Sequence, residues 1–170
     1  SYTSRYFQAN EQIFGDDFVF VGPSITERND AEPLLLNSID KDKKLIYISL
    51  GTVMSVRQEG FYQMCFEALK TVNANVILSV GPHTDIAGLG ESPANFMVHN
   101  YVPQLELLPK VDLFITHAGM NSIQESIYYE VPMIAIPQTY EQSLNAIRAR
   151  DLGVAKYLKM KHLNAKLLQK

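Results

Sequence analysis

The stretch DLFITHAGMNSIQESIYYEVPMIAI, residues 112–136, predicts a strand, a helix and a second strand in succession. Residues 112–116 and 133–136 are short apolar runs bounded by turn residues, which is typical of buried strands. Residues 122–129 between them are predicted to be helical. A strand, a helix and a second strand in this order form a right-handed unit with parallel strands, so this stretch indicates the fold class.

The alternation of strands and helices extends on both sides of this unit. Helical spacing is clearest over residues 58–72, where Phe61, Cys65 and Leu69 would share one face. The other predicted elements are a helix at residues 141–151 and strands at residues 45–50, 76–80, 96–98 and 154–158. This alternation predicts an α/β domain with a doubly wound, Rossmann-like parallel sheet that helices cover on both faces.

The composition and hydrophobic patterning of the chain change at Leu45, and this change suggests the domain organisation. Residues 24–44 are polar, charged and largely unpatterned, so they are predicted to be an interdomain linker. Residues 1–23 would then be the tail of a preceding N-terminal domain, and residues 45–170 a domain of their own. A helical pattern that begins at His162 is cut off at Lys170, which predicts that this domain is truncated at its C-terminus.

The composition is that of a globular protein with one core. The chain has 170 residues, of which 46% are hydrophobic and 19% charged. A formal net charge of -3 disfavours a nucleic-acid partner, because basic residues hold such partners by their phosphates. No apolar run approaches the roughly 20 residues that cross a bilayer, so no membrane partner is expected. The single cysteine, Cys65, cannot form an internal disulfide, which indicates a reducing, cytoplasmic setting.

Several common ligand-binding motifs are absent from the sequence. Neither a GxxxxGK loop nor a GxGxxG turn occurs, which disfavours an ATP-binding P-loop and a typical nicotinamide-binding fold. The four histidines lack the spacing of metal ligands, and there is no CxxC pair. We therefore expect no metal site.

The loop THAGMNS, residues 116–122, leads from a predicted strand into a predicted helix. Ligands of parallel sheets bind beyond the carboxyl ends of the strands. Gly119 lets the backbone approach a ligand closely, and the free N–H groups at the start of a helix favour an anion such as pyrophosphate. His117, Asn121 and Ser122 could each add a hydrogen-bond donor. The residues alone therefore indicate a phosphate site here.

Two carboxylates near this loop have alternative interpretations. Glu125 could accept two hydrogen bonds from a ribose diol, but Ser122 and Glu125 also have the spacing of a capping box, which the residues alone favour. Glu141 and Gln142 open the next predicted helix, and taken alone they are an ordinary acidic first turn.

Several linked segments resemble the signature region of the UDP-glycosyltransferases, the superfamily that includes bacterial macrolide glycosyltransferases and plant secondary-product enzymes. The matching segments are SLGT at residues 49–52, YVPQ at 101–104, THAGMNS at 116–122, VPMIAIPQ at 131–138 and EQ at 141–142, together with Glu125. YTSRYFQ and FVFVGPS, near the start, resemble the stretch by which the macrolide group leaves its N-terminal domain. The resemblance covers nearly the whole chain and implies the C-terminal, donor-binding half of a two-domain GT-B enzyme.

The resemblance implies a role for each residue of a donor site. The uracil would stack on Tyr101, with the Val102 backbone and Gln104 nearby. Thr52, His117, Asn121 and Ser122, around Gly119, would hold the pyrophosphate. Glu125 would bind the ribose hydroxyls, and Glu141 with Gln142 the sugar hydroxyls.

The resemblance also implies an inverting, metal-independent transfer of a hexose, with glucose favoured, from UDP to a small hydrophobic acceptor. The donor is a substrate, so no cofactor is expected. The general-base histidine and the acceptor pocket would belong to the N-terminal acceptor domain, so no catalytic residue is expected in this chain. A stand-alone UDP-sugar-binding subunit that needs a partner, and a UDP-sugar epimerase or hydrolase of the same architecture, are the alternatives.

Three residues depart from the pattern of the family. Plant members usually have Trp at the positions of Tyr101 and Met120, and Glu130 stands where Gly is usual. The smaller ring at Tyr101 can still stack on a base, so uridine diphosphate remains the favoured nucleotide. The change at Glu130 is expected to have only a local effect.

Overall fold

A computed structural model describes residues 2–26, 39–51 and 59–169 of the chain. The strands are β1 Lys44–Ser49, β2 Ala74–Ser79, β3 Phe96–His99, β4 Leu113–Thr116, β5 Met133–Ala135 and β6 Ala155–Tyr157. The α-helices are α1 Glu59–Leu69, α2 Gln104–Leu107, α3 Met120–Tyr128, α4 Tyr140–Asp151 and α5 Ala165–Leu168. Single 3-10 turns cover Glu11–Ile13, Ala87–Leu89, Leu108–Lys110 and Met160–His162.

The six described strands form one sheet in the order β3-β2-β1-β4-β5-β6. Every pair of neighbours is parallel. The direction of strand order reverses between β1 and β4, where Tyr47 lies opposite Phe114 and the two rings stack with centroids 4.7 Å apart. The prediction of a doubly wound α/β sheet is confirmed, and the reversal is the point at which such sheets bind ligands.

Alternate residues of β1 enter two different cores, because successive side chains of a strand point to opposite faces. Ile46 and Ile48 belong to the cluster that α1 and α5 cover. Leu45 and Tyr47 belong to the cluster that includes Ile123 of α3 and Ala146 and Ala149 of α4. Both faces of the sheet are therefore covered, as the continuous apolar strands predict.

Helix α3 begins two residues earlier than the sequence suggests. Its N-cap is Gly119, in an extended conformation, so Ser122 lies inside the first turn and is buried. The interpretation of Ser122 and Glu125 as a capping box is wrong, since Ser122 does not occupy the N-cap position. The capping box of this region is instead formed by Thr139 and Gln142 at the start of α4.

The N-terminal segment, residues 2–8, packs against α4. Phe7 is buried in the same cluster as Ala146 and Ala149. Arg148 donates from Nε to the carbonyl of Phe7 at 2.9 Å and from its second guanidinium nitrogen to the carbonyl of Tyr6. The assignment of residues 1–23 to a preceding domain, and of residues 24–44 to a linker, stays a prediction.

None of the helices in the described ranges is long and apolar enough to cross a membrane. The free thiol of Cys65 is buried in α1. At the end of the described chain Leu168 of α5 is buried against the core of α1, and the predicted truncation beyond it stays a prediction.

Candidate donor site

The residues of the predicted site follow the carboxyl ends of β3, β4 and β5. Because parallel strands end at one edge of a sheet, the loops after them form a common rim. Residues 100–104 follow β3, residues 117–119 join β4 to α3, and residues 136–139 join β5 to α4. Thr52, predicted to contact the pyrophosphate, lies outside the described residues.

The turn from β4 into α3 leaves the start of the helix open to a ligand. Ala118 has a φ of 65° and is fully buried, and its N–H donates to the Thr116 hydroxyl at 3.3 Å. In the described part of the chain no side chain caps α3, because its N-cap is Gly119. The first N–H groups of a helix have no partner within the helix and attract anions. The N–H groups at the start of α3 therefore have no side-chain cap, and the phosphate role of the loop stays a prediction.

The imidazole of His117 lies between two glycines. A methyl group on Gly51 would come within 2.8 Å of Cε1 of His117, and one on Gly119 within 2.5 Å of Nε2. Carbon atoms do not approach other atoms so closely without a shift of the structure. Gly51 also has a φ of 79°, a conformation that favours glycine. Both positions must therefore be glycine for the ring to occupy this place.

Burial lowers the pKa of His117 below its ordinary value of 6.5, while the backbone of Ser49 and the charge of Glu141 act in the opposite direction. The buried Nδ1 atom has no hydrogen-bond partner among the described residues. The ring is therefore neutral at neutral pH. It can donate or accept a hydrogen bond there, but it does not carry a positive charge.

A buried carboxylate lies beside this turn. Glu125 is 7% exposed, and its Oε2 accepts a hydrogen bond of 2.6 Å from Nε2 of Gln104. The same amide nitrogen lies 3.4 Å from the hydroxyl of Ser122. The structure thus brings together three residues predicted to bind the nucleotide, and the chain separates Gln104 from Glu125 by 21 positions. This pairing was not predicted from the sequence.

Glu141 and Gln142 differ in what their side chains do. Gln142 accepts with Oε1 from the backbone N–H groups of Gln138 at 2.9 Å and Thr139 at 3.3 Å, as part of the capping box. Glu141 accepts with Oε1 from Nδ2 of Asn145 at 3.0 Å. Gln142 therefore has a structural role that sequence reasoning did not assign, and only its amide nitrogen could donate to a sugar hydroxyl.

Asn145 is a further residue of the site that sequence reasoning missed. It is 7% exposed, and its Nδ2 also donates to the carbonyl of Ala118 at 3.2 Å. The spacing of four residues from Glu141 places both on one face of α4, and this was the signal available in the sequence. The contact with Ala118 spans 27 positions and had no local signal.

The remaining predicted residues lie at the outer rim. Tyr101 is 57% exposed, so its ring is accessible for stacking, and Val102 beside it is buried. Asn121, at the second position of α3, is exposed. The described residues contain no group of three or more His, Cys, Asp or Glu side chains able to hold a metal ion.

The parallel sheet, its switch point and the uncapped turn into α3 define a Rossmann-like domain with a candidate anion site at its carboxyl edge. The family model for UDP-glucoronosyl and UDP-glucosyl transferase matches residues 17–170. The chain belongs to the UDP-glycosyltransferase family.

Two of the relatives of the chain are bacterial glycosyltransferases. It is 46% identical over 166 residues to the NDP-glycosyltransferase YjiC of Bacillus subtilis (strain 168), which covers 97% of this chain and 41% of YjiC. It is 39% identical over 128 residues to the oleandomycin glycosyltransferase of Streptomyces antibioticus, which covers 75% of this chain and 30% of that protein. The chain spans about 40% of the length of the first of these relatives.

The fold is also similar to that of a solved structure. The crystal structure of the glycosyltransferase of kitacinnamycin superposes on 99% of this chain, and on 43% of its own chain, with a TM-score of 0.88 and 31% identity. The sheet and the loops at its carboxyl edge are thus those of a known glycosyltransferase architecture.

Proposed function

We propose that this chain binds the donor of an inverting, metal-independent glycosyltransferase that transfers a hexose, with glucose favoured, from UDP to a hydroxyl group of a small hydrophobic acceptor such as a macrolide. The observation that carries the proposal is the juxtaposition of an open helix start at Gly119 with the buried Glu125 carboxylate that Gln104 holds. A nucleoside diphosphate presents a ribose diol next to phosphates and matches both groups. The family match is consistent with this donor class.

The nucleoside would lie along the Tyr101 side of the rim. The exposed ring of Tyr101 offers a face for the uracil, and the backbone of Val102 lies next to it. Glu125 would accept the hydrogen bonds of the ribose hydroxyls. A carboxylate has about four acceptor positions, so a hydrogen bond from Gln104 does not by itself exclude further bonds from a diol.

The diphosphate would lie at the start of α3. Negative charge builds up on the leaving nucleotide as the bond to the sugar breaks, and preorganised backbone donors stabilise that charge. The N–H groups after Gly119, with His117, Asn121 and Ser122, would supply these donors. His117 would act as a neutral hydrogen-bonding group, because burial lowers its pKa. It would not be the general base, since that residue would belong to the other domain.

The hexose would lie at the first turn of α4. The Glu141 carboxylate would accept from sugar hydroxyls, and the amide nitrogen of Gln142 would donate to one. The acceptor and the base that deprotonates it would be provided by the other domain of a full-length protein. Attack from the face opposite the nucleotide would invert the anomeric configuration.

The donor assignment can be tested on the 170-residue chain by calorimetric titration with UDP and with ADP. We expect saturable binding of UDP, a preference for UDP over ADP, and no change when EDTA is added. A folded chain that binds ADP as well as UDP would contradict the pyrimidine assignment. A requirement for a divalent cation would contradict the metal-independent part.

The class of reaction is tested on a full-length protein that carries this sequence. With UDP-glucose and a macrolide acceptor, the anomeric proton coupling in the NMR spectrum of the product reports its configuration. We expect a β-glucoside from the α-configured donor. Release of glucose from UDP-glucose without acceptor, as fast as transfer in the presence of the acceptor, would instead favour a hydrolase.

A further inference from the structure

The side chain of Asn145 connects two parts of the site. Its Nδ2 donates to the carbonyl of Ala118, at 3.2 Å, and to Oε1 of Glu141, at 3.0 Å. A carboxamide nitrogen carries two hydrogens, so one group satisfies both acceptors. Asn145 is 93% buried, and hydrogen bonds shielded from water are electrostatically stronger than exposed ones.

The bond to Ala118 fixes the turn in front of α3. Ala118 has a φ of 65°, in the left-handed region that is unfavourable for an alanine. The next residue, Gly119, is the N-cap of α3. The Ala118 carbonyl shares a planar peptide unit with the N–H of Gly119, so holding the carbonyl fixes the direction of that N–H at the start of α3.

The bond to Glu141 fixes a side chain that is otherwise exposed. Glu141 lies in the first turn of α4, and a free glutamate in such a position samples several rotamers. A hydrogen bond from the buried amide of Asn145 restricts this freedom. The carboxylate is also close enough to the turn to act on the imidazole of His117.

We propose that Asn145 is a positioning residue that holds the Glu141 carboxylate and the Ala118–Gly119 turn in one fixed relation, so that the sugar and the diphosphate of a donor are recognised together. Asn145 need not touch the donor to do this. The inference rests on the proposed function, because it takes Glu141 as the sugar contact and the start of α3 as the diphosphate contact.

The test compares two asparagines that are buried to the same degree. Asn145→Leu keeps the approximate volume of the side chain and removes the donor. Asn75→Leu is the matched control: Asn75 is 8% exposed and donates to the Asp40 carbonyl at 2.8 Å, but it lies near the start of β2, at the opposite edge of the sheet. Each variant of the 170-residue chain is titrated with UDP and with UDP-glucose, and its melting temperature is measured.

We expect Asn145→Leu to weaken binding of UDP-glucose about tenfold and of UDP about threefold, which is the size of loss usual when a hydrogen-bonding group is removed. Asn75→Leu should lower the melting temperature and leave both affinities unchanged. In the double variant with Glu141→Gln, the loss of UDP-glucose affinity should be smaller than the product of the two single losses, since Asn145 acts through Glu141.

Three results would overturn the inference. They are an unchanged ratio of UDP-glucose to UDP affinity in Asn145→Leu, equal effects of Asn145→Leu and Asn75→Leu on binding, or losses in the double variant that simply multiply. A wild-type chain that is folded but binds neither ligand would refute the proposed function, and the role of Asn145 with it. The titration of the wild type therefore tests the proposed function, and the titrations of the variants test the role of Asn145 separately.

Discussion

Nε2 of Gln104 lies 2.6 Å from Oε2 of Glu125, so the residue after Pro103 and a buried carboxylate on α3 form one hydrogen-bonded pair. The pair links the first residue of α2, which follows β3, to α3, which follows β4, across the switch point of the sheet. A carboxylate held in this way has a fixed direction before a ligand arrives. Such preorganisation reduces the entropy that binding must overcome.

The variant Glu125→Ala should therefore weaken UDP binding about ten- to more than a hundredfold, since hydrogen bonds to a charged group contribute about 1.5 to 3 kcal/mol. Calorimetric titration of the 170-residue chain measures this loss. Glu106→Ala removes an exposed carboxylate of α2, two residues from Gln104, and is the control. Unchanged UDP affinity in a folded Glu125→Ala chain would mean that Glu125 does not bind the ribose.

The order of strands and helices could be predicted because it depends on hydrophobic periodicity, which is a local property. The start of α3 could not, because Ser122 and Glu125 match a capping motif whether or not Ser122 is the N-cap. The extended backbone of Gly119 decides the matter, and backbone angles are not visible in residue types.

Most of the rim of the candidate site was predicted from the family resemblance, but the contacts within it were not. Gln104 meets Glu125, and Asn145 meets Ala118, over separations of 21 and 27 positions. Such pairs form only when the sheet brings its carboxyl ends together, so they depend on tertiary structure. Gln142 was assigned to a ligand from the resemblance, and the structure shows that its side chain also caps its own helix.

The space around the His117 ring leads to a second prediction. Gly119→Ala would place a methyl group on Nε2 of His117, so the ring or the turn must move. We expect a loss of about 1 to 3 kcal/mol in the free energy of unfolding and weaker UDP binding. Chemical denaturation and the UDP titration measure the two effects.

Two further variants separate this clash from a general effect of alanine. Gly60→Ala, in α1, adds a methyl group that meets nothing within 4 Å, so its stability should be unchanged or slightly higher. His117→Ala in the Gly119→Ala background removes the clashing ring and should recover part of the lost stability, although not the binding. If the double variant is less stable than Gly119→Ala alone, the clash is not the cause.

The ionisation of His117 leads to a third prediction. Its pKa is below 6.5 in the folded chain and near 6.5 in the unfolded chain. As the pH falls through 6.5, the unfolded state therefore binds a proton that the folded state resists, and the free energy of unfolding decreases until the pH passes below the folded pKa. Above this window His117 is neutral in both states, so it does not change the free energy of unfolding with pH.

The pH effect can be isolated with His117→Gln, which removes the titrating group. The stability of the wild type relative to this variant, from denaturant unfolding between pH 5 and 8 (about 1.5 units on each side of the ordinary histidine pKa), should decrease as the pH falls. His162→Gln, at an exposed histidine, is the control. A difference that grows toward acid pH would show that the folded state favours the charged ring.

The fourth prediction concerns Glu130, which stands where the family usually has Gly. Glu130 is exposed and has a φ of 58°, in the left-handed region that is unfavourable for residues with a side chain. Glu130→Gly removes a backbone cost of about 1 to 2 kcal/mol but gives the unfolded chain about 0.4 to 1 kcal/mol of extra conformational freedom. The net effect should be a stabilisation of about 0 to 1.5 kcal/mol.

Glu130→Val provides the opposite test at the same position, because a β-branched residue tolerates the left-handed region least. It should destabilise the chain relative to the wild type, and thermal unfolding of both variants gives the two signs. The N–H of Glu130 bonds to the Ile127 carbonyl at 3.1 Å, within the turn that ends α3.

UDP binding should be unchanged in Glu130→Gly, because the position lies at the end of α3 remote from Gly119. A large loss of affinity there would show that the turn transmits its conformation along α3 to the donor site.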